Sequence, residues 1–307
     1  MDVSSLFQYT AEFFVIISLA ALAGMIAERS GIVNIAIEGF MTLGALAFAI
    51  IGNLSRTPSN NGMQVLIFVA IFGLGMIFSL MHSFVAIRLK CDQIISGTAI
   101  NLFMQGFALF IVTSGVVGGD KNFIEAKFLN ISFDSSKIFS VYLLITIIIT
   151  AILGFYFTFT RTGNRHIAAG ENPNALDAVG ISVNKYRYLA TAFSGGVAAI
   201  AGAFFVIVIK ASTFYGSVDG FGFIGLALMI IGQWRVKFIP LFSLFFAFIF
   251  AFVRIAGASA GMPDFISKHN VLLKALPFIL SLVAMVAISK WSRPPAASGK
   301  HFDKSKR

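Results

Sequence analysis

The stretch GIVNIAIEGF, from Gly31 to Phe40, places an asparagine and a glutamate in a chain that otherwise avoids polar residues. Asn34 and Glu38 are four residues apart, so a helix would put them on one face, among isoleucines and a valine. A carboxylate is costly to bury in such surroundings. We therefore expect these two side chains to have a specific use.

The composition of the whole chain indicates an integral membrane protein. Hydrophobic residues make up 58% of the 307 residues, charged residues make up 12%, and the mean hydropathy is +0.89. A soluble globular protein has about 25% charged residues and a lower apolar share. The single cysteine, Cys91, excludes an internal disulfide, and the four histidines lack metal-ligand spacing. We expect neither a metal nor another cofactor.

Nine apolar segments predict an all-α membrane fold, since a helix of about 20 residues crosses about 30 Å of hydrocarbon. The segments are residues 9–27, 35–51, 64–87, 94–117, 139–160, 188–209, 221–231, 238–256 and 271–289. The interval QWRVK between the seventh and eighth segments is so short that we expect a tight hairpin there.

The distribution of basic residues predicts an N terminus outside and a C terminus inside. If odd-numbered segments run inward, the intervals on one face carry fifteen Lys and Arg residues, and those on the other face carry six. Short loops rich in Lys and Arg stay in the cytoplasm. Anionic lipid on that face accounts for the net charge of +10 without nucleic acid. We expect one membrane domain over residues 1–290 and a basic cytoplasmic tail over residues 291–307.

The longest polar interval on the predicted inner face is RTGNRHIAAGENPNALDAVGISVNKYR, residues 161–187. Asn172 followed by Pro173 is typical of a helix start, residues 175–179 predict a short helix, and Gly180 stands where that helix would end. The interval is either a short helix held between two membrane segments for a purpose, or a solvated loop with a capped turn.

Four stretches of the chain resemble one family of transport proteins. They are ERSGIVNIAIEGFMTLGAL, DQIISGTAINLFMQGFALF, GENPNALDAVGISVNKYRYLATAFSGGVAAIAGAF and GFGFIGLALMIIGQWRV. In this order they resemble the permease subunits of ABC importers for simple sugars and nucleosides, a branch of the branched-chain amino acid permease superfamily. The chain is similar to the shorter, nucleoside-type permease of that group, which begins outside the membrane.

The resemblance implies a multi-pass permease of the bacterial cytoplasmic membrane with three protein partners. These are a cytoplasmic ABC ATPase, a second permease subunit that we expect to be a different chain, and an extracytoplasmic substrate-binding protein or lipoprotein. The cargo would be a nucleoside or a simple sugar, carried by alternating access. The loop from Gly118 to Lys137 offers the largest outer surface for the binding protein.

By the same resemblance, a coupling helix within residues 161–187 would sit in a groove of the ATPase. Small residues would let this helix seat deeply, and Glu171 near its N terminus would complement the helix dipole. The residues carried over by motif are Gly170, Glu171, Asn172, Pro173, Ala175, Ala178 and Gly180.

The order of the segments also predicts an inverted four-plus-four repeat. With the fifth segment set aside as a linker, segments one to four and six to nine enter the membrane from opposite sides. The seventh segment, GFGFIGLALMII, is short and rich in glycine, and it holds the same ordinal place in its group as the second. Paired short or interrupted segments point to a binding site near the midplane.

Five polar residues in the second and fourth segments are candidates for the translocation path or its cytoplasmic gate, where they would offer hydrogen bonds to sugar or ribose hydroxyls. Two structural alternatives stay open. The glutamate could pair with Arg29 or cap a neighbouring helix, and the other polar residues could hold helices together. The candidates are Asn34, Glu38, Gln93, Ser96 and Asn101.

Missing motifs limit the chemistry of this chain. No GxxxxGK[ST] motif and no arrangement of Ser, His and Asp occurs, so we expect no ATP hydrolysis and no enzymatic activity from it alone. Two other classes of function remain, a proton-driven secondary transporter in which Glu38 titrates and a structural membrane scaffold. A proton-driven carrier has no reason to keep a capped helix within residues 161–187.

Overall fold

Helices make up most of the residues that a computed structural model describes, which are residues 3–55, 61–128, 131–133, 137–258 and 270–303. The helices are α1 (Val3–Glu28), α2 (Ile37–Leu54), α3 (Asn61–Ser83), α4 (Gln93–Ser114), α5 (Val141–Phe159), α6 (Arg161–Glu171), α7 (Pro173–Ala178), α8 (Val183–Phe204), α9 (Phe221–Ile231), α10 (Phe238–Ala258) and α11 (Asn270–Ile288). Two short strands, β1 (Ile124–Glu125) and β2 (Thr213–Phe214), form an antiparallel pair.

Each of the nine predicted segments coincides with one helix, and the helical membrane fold is confirmed. Eight helices in the described part of the chain are long and apolar enough to cross a membrane, and α9 is a shorter apolar helix of 11 residues. Two of the long helices, α3 and α8, end in a π-helical turn, at Phe84–Arg88 and Phe205–Ile209. The helix α6 lies in the polar interval and was not predicted, because its apolar content is low.

The connections between helices collect at two ends of the bundle. At one end, the Ala297 N–H donates to the Gly170 carbonyl at 2.8 Å and the Gly299 N–H donates to the Gly31 carbonyl at 3.1 Å. We call this the basic end, because the intervals rich in Lys and Arg meet there. At the opposite end, β1 pairs with β2, with Ile124 facing Phe214.

The helices α1 and α8 form the centre of the bundle, and each packs against two helices from the other half of the chain. They pack against each other, while α1 also packs against α9 and α10, and α8 also packs against α2 and α3. Glycine permits the close approach of α8 to α2, because a Cβ at Gly202 would fall on the Met41 carbonyl and one at Gly44 would fall on the Ala199 carbonyl. The α4, α5 and α11 helices lie outside and expose most of their apolar surface.

The hairpin predicted between the seventh and eighth segments is confirmed. The turn from α9 to α10 contains two consecutive residues in the left-handed region, Gln233 with φ +55° and Trp234 with φ +51°. The Trp234 N–H donates to the Met229 carbonyl at 3.1 Å, which closes the turn. Trp234 is buried, so its side chain fixes the turn against the basic end.

The packing of α8 on α2 predicts that Gly202→Ala destabilises the protein, whereas Gly73→Ala does not. Overpacking a close helix contact costs about 1–3 kcal/mol, and alanine is up to ~1 kcal/mol better than glycine in a helix. A Cβ at Gly73, in α3, would meet no other atom within 4 Å. Thermal unfolding in a mild detergent measures both variants, and a Tm for Gly202→Ala equal to that of Gly73→Ala would contradict this account.

Candidate functional site

A non-helical segment, residues 31–36, separates α1 from α2 and lies inside the protein. Ile32, Asn34 and Ala36 within it are fully buried. Gly31 has a φ of +93°, and a Cβ at this position would lie 2.8 Å from the guanidinium of Arg187. Non-helical backbone in a membrane interior leaves N–H and C=O groups that only the protein can satisfy.

Two polar side chains of α4 satisfy part of this backbone. The Gln93 Oε1 accepts from the Val33 N–H at 2.7 Å. The Asn101 Nδ2 donates to the Ile35 carbonyl at 2.9 Å, and its Oδ1 accepts from the Gly39 N–H at 2.7 Å. Gln93 and Asn101 are eight residues apart and so lie on one face of α4. These two candidate residues of α4 thus hold the entry into α2.

Ser96 joins the same group through His82 of α3. The His82 Nε2 lies 3.1 Å from the Val33 carbonyl, and the Nδ1 lies 3.0 Å from the Ser96 Oγ. Because a carbonyl can only accept, the proton resides on Nε2, and in the neutral ring Nδ1 accepts from the serine hydroxyl. His82 was not among the predicted residues, although a lone histidine in an apolar helix is a signal that could have identified it.

Asn34 connects the segment to both central helices. Its Nδ2 donates to the Ser194 Oγ of α8 at 2.9 Å, and its Oδ1 accepts from the Ala36 N–H at 3.2 Å. The Ser194 hydroxyl in turn donates to the Ala23 carbonyl of α1 at 2.6 Å. This chain of hydrogen bonds fixes the segment where α1, α2 and α8 meet.

Glu38, in the first turn of α2, caps the N terminus of α9. Its Oε1 accepts from the Gly220 N–H at 2.9 Å and its Oε2 from the Gly222 N–H at 2.7 Å. A Cβ at Gly222 would lie 2.6 Å from the Glu38 backbone, so the two helix starts are in contact. Of the structural alternatives for Glu38, the helix cap is therefore observed, and within the described residues Glu38 has no ion pair with Arg29.

The five candidate path residues therefore lie in one polar region, which we call the helix junction. It comprises these five residues with His82, Ser194 and the N terminus of α9, and it joins the starts of two helices, α2 and α9. The Gln93 Nε2 is buried in it and has no hydrogen-bond partner among the described residues. Partners of Glu38 so distant in sequence could not be identified from a single chain.

The second candidate region begins at α6, which is fixed to the end of α1. The His166 Nε2 donates to the Ile26 carbonyl at 2.8 Å, and a Cβ at Gly170 would collide with the Arg29 carbonyl. Burial lowers the pKa of His166 to about 4, so the imidazole is neutral near pH 7. The N terminus of α6 is capped by Thr160, whose Oγ1 accepts from the Gly163 N–H at 2.9 Å.

The short helix predicted after Asn172 is observed as α7. The Asn172 Oδ1 accepts from the Ala175 N–H at 3.1 Å, and Gly180 has a φ of +77° just beyond the helix. Leu176 is buried against Ala169. The exposed positions of the expected docking set, which we call the α7 face, are Asn172, Ala175, Ala178 and Gly180, with the half-buried Pro173 beside them.

Two residues expected in the docking set also contact their own chain. Gly170 is buried against the backbone of Arg29 and Gly31, which explains why glycine is needed there. Glu171 is the last residue of α6, and its Oε2 accepts from the Ala296 N–H of the tail at 3.2 Å. The expected dipole partner of α7 thus bonds to the tail, and Asn172 is the residue that caps α7.

Comparison with known proteins places the whole chain in one group. The sequence profile described as the permease component of branched-chain amino acid transport systems matches residues 6–288. MG121 of Mycoplasma genitalium is 32% identical, with 99% of each chain covered. A nucleoside ABC transporter permease protein, NupC of Lactococcus lactis, is 30% identical over 93% of this chain and 92% of its own. A guanosine ABC transporter permease protein, NupQ of Bacillus subtilis, is 31% identical over 94% and 93%. No solved structure matches.

The cap on α9 predicts that Glu38→Ala destabilises the protein by about 3 kcal/mol, because hydrogen bonds to charged groups contribute ~1.5–3 kcal/mol each. Glu38→Gln keeps one acceptor and should cost less. Glu125→Ala is the matched control, since this carboxylate is exposed at the opposite end. Chemical denaturation in a mild detergent gives the three free energies of unfolding. Equal losses for Glu38→Ala and Glu125→Ala would show that the cap contributes nothing.

Proposed function

The chain belongs to the permease component family of branched-chain amino acid transport systems and is an ABC transporter permease, and we propose that its cargo is a nucleoside. The cargo proposal is supported by one observation, that two relatives similar over nearly their full length are named nucleoside and guanosine permeases. We further propose that it works by alternating access, driven by a separate cytoplasmic ATPase.

The α7 face is the proposed contact with the ATPase. It is a capped helix with small exposed side chains at positions 175 and 178, so a partner's groove could close over it without displacing bulky groups. Val179 next to it is 70% exposed and adds an apolar contact that sequence patterns did not single out. Because α6 is seated on the end of α1, motion of α7 would reach the non-helical segment without a flexible link.

The helix junction is the proposed moving part of the transport path. Glu38 ties the starts of α2 and α9, and α9, with its 11 residues, is only about 16 Å long at 1.5 Å per residue, near half of the hydrocarbon depth. The unpartnered Gln93 Nε2 supplies a donor that a ribose or sugar hydroxyl could accept from. Asn34, Ser96 and Asn101 hold this region in shape, so their role in transport would be through the geometry of the junction.

An inverted repeat is supported by the reciprocal packing of the two central helices. The first helix of each four-helix group packs on the second and third helices of the other, as α1 does on α9 and α10 and α8 does on α2 and α3. Such repeats place binding sites at their interface. The helix junction contains side chains from both groups of helices and would lie at this interface.

The orientation and the remaining partners are also proposals. The basic end would face the cytoplasm, as short loops rich in Lys and Arg do. A second permease subunit would complete the path, and a substrate-binding protein or lipoprotein would dock at the opposite end, on the loop 118–137. Residues 129–130 and 134–136 of that loop lie outside the described residues.

The proposed function predicts that the assembled transporter hydrolyses ATP faster when a nucleoside and its binding protein are present. The chain would be purified from its native membrane with its partners and reconstituted in liposomes, and hydrolysis would be measured with guanosine, adenosine, cytidine and, for comparison, ribose and galactose. If only the sugars stimulated ATP hydrolysis, the cargo would be a simple sugar and not a nucleoside. Uptake that needs a proton gradient but no ATP would make Glu38 the centre of a secondary transport mechanism.

The α7 face predicts that Asn172→Arg abolishes uptake while the protein still inserts into the membrane. The substitution removes the helix cap and adds a long cationic side chain to the proposed contact with the ATPase. A loss of only ~1.4 kcal/mol of docking free energy weakens binding about tenfold. Asn164→Arg, on the exposed side of α6, is the matched control. Full uptake by Asn172→Arg would count against the docking assignment, whereas loss of uptake by both variants would point to a general effect of added charge.

A further inference from the structure

A cavity and a groove at the basic end form one continuous depression that the transport mechanism does not use. The basic cavity has a volume of ≈ 900 Å³ and lies between the α9–α10 turn, the end of α11 and the start of the tail. The apolar groove, of ≈ 510 Å³, runs between α10 and α11. Ile231, Phe242 and Ile288 line both, so one opens into the other.

The two parts differ sharply in chemistry. The groove is lined by apolar side chains alone, and several of them are exposed, such as Phe245 and Val283 at 59% each. The basic cavity is lined by four cationic residues against a single acidic one, Glu171, whose carboxylate already accepts from the tail. The cationic residues are Arg29, Arg235, Lys290 and Arg293.

The cations of the cavity form no ion pair with a carboxylate in the described part of the chain. Glu171 is the one acidic residue that lines the cavity, and its single carboxylate faces four cationic residues. The Arg29 Nε donates to the Trp234 carbonyl at 2.8 Å, which holds that guanidinium at the inner wall of the cavity. Such a cluster of cations is stabilised by an anion, and the opening of the cavity onto an apolar groove shows which kind of anion fits.

We propose that this depression binds one anionic phospholipid, with the phosphate in the basic cavity and an acyl chain in the apolar groove. The groove lies on two helices of membrane-spanning length, where lipid tails are the available apolar ligand. Basic pockets between helices on the cytoplasmic side bind acidic headgroups, and tryptophan prefers the depth of the headgroups. Trp291 is 73% exposed at the mouth of the cavity, and Trp234 lines its wall.

The two tryptophans make the proposal directly measurable. They are the only two in the chain, and both line the basic cavity. A Trp291→Phe background leaves the buried Trp234 as sole reporter, which removes quenching by bulk lipid at the exposed position. The purified full-length chain, without its partners, would be placed in phosphatidylcholine nanodiscs with increasing amounts of brominated phosphatidylglycerol, whose bromine atoms quench tryptophan fluorescence on contact.

We expect saturable quenching by brominated phosphatidylglycerol and little quenching by brominated phosphatidylcholine. The triple variant Arg235→Gln, Lys290→Gln, Arg293→Gln should raise the amount of anionic lipid needed for half-quenching by more than tenfold, since each basic residue near an anionic surface contributes roughly a fivefold factor in binding. The matched triple variant Arg161→Gln, Arg165→Gln, Lys237→Gln removes the same residue types at the same end, outside the cavity, and should retain the native titration.

The groove has its own pair of variants. Ala284→Phe fills the groove without changing charge and should also weaken quenching, whereas Ala287→Phe, on the exposed side of α11, should not. Equal effects of the two triple variants would show only a general attraction to an anionic surface and would overturn the proposal. The proposal would also be overturned if glycerol phosphate alone displaced the brominated lipid. The same holds if a second permease subunit covered the groove and protected Trp234 from quenching.

Discussion

The backbone of residues 31–36 has to find its hydrogen-bond partners inside the protein, and the arrangement around it follows from that constraint. In a helix these groups would bond to one another, but here side chains from α3 and α4 bond to the backbone in their place. Ser194 of α8 adds a bond to the Asn34 side chain of the same segment. The tail adds the Gly299 N–H to the Gly31 carbonyl, and the buried Arg187 adds its Nε to the Ser30 carbonyl at 3.2 Å. Four separate parts of the chain must therefore assemble before this segment is stable.

The same constraint bears on the proposed movement of the helix junction. Rearranging a segment held by side chains costs less free energy than breaking the backbone hydrogen bonds of a continuous helix. Each contact here is a single hydrogen bond worth ~1 kcal/mol, so the contacts can be exchanged one at a time. Glu38 then links α2 to the start of α9, so that a shift of one helix start would displace the other. At the other side, Gly170 and His166 join α6 to the last turn of α1. The α7 face and the helix junction are thus connected through packed backbone.

Much of the fold was readable from the sequence, because hydropathy over about 20 residues and helix-capping residues are local signals. The nine segments, the turn at Gln233 and Trp234, and the cap at Asn172 are all of this kind. The contacts of Glu38 with Gly220 and Gly222 are not, since they join residues 182 and 184 positions apart. Polar residues of α4 were singled out as candidates for the transport path, but the sequence could not show that their partners are backbone groups of another segment. The helix α6 escaped prediction because its stability comes from the surface on which it packs.

The tail illustrates why composition alone is a poor guide to what a segment does. Its many basic residues suggested a cytoplasmic extension whose charge would be its main property, yet its backbone bonds to Gly170 and Gly31, and its Lys300 carbonyl accepts from Arg187 at 2.9 Å. Side chains and backbone of the tail therefore have different neighbours, because the Arg293 side chain lines the basic cavity next to Lys290, which precedes the tail. Glu171 touches both sets, because it lines that cavity and also bonds to the tail next to the α7 face. A headgroup bound there would lie against the last residue of α6, so the bound lipid and the helix proposed to contact the ATPase would act on one another through a shared side chain.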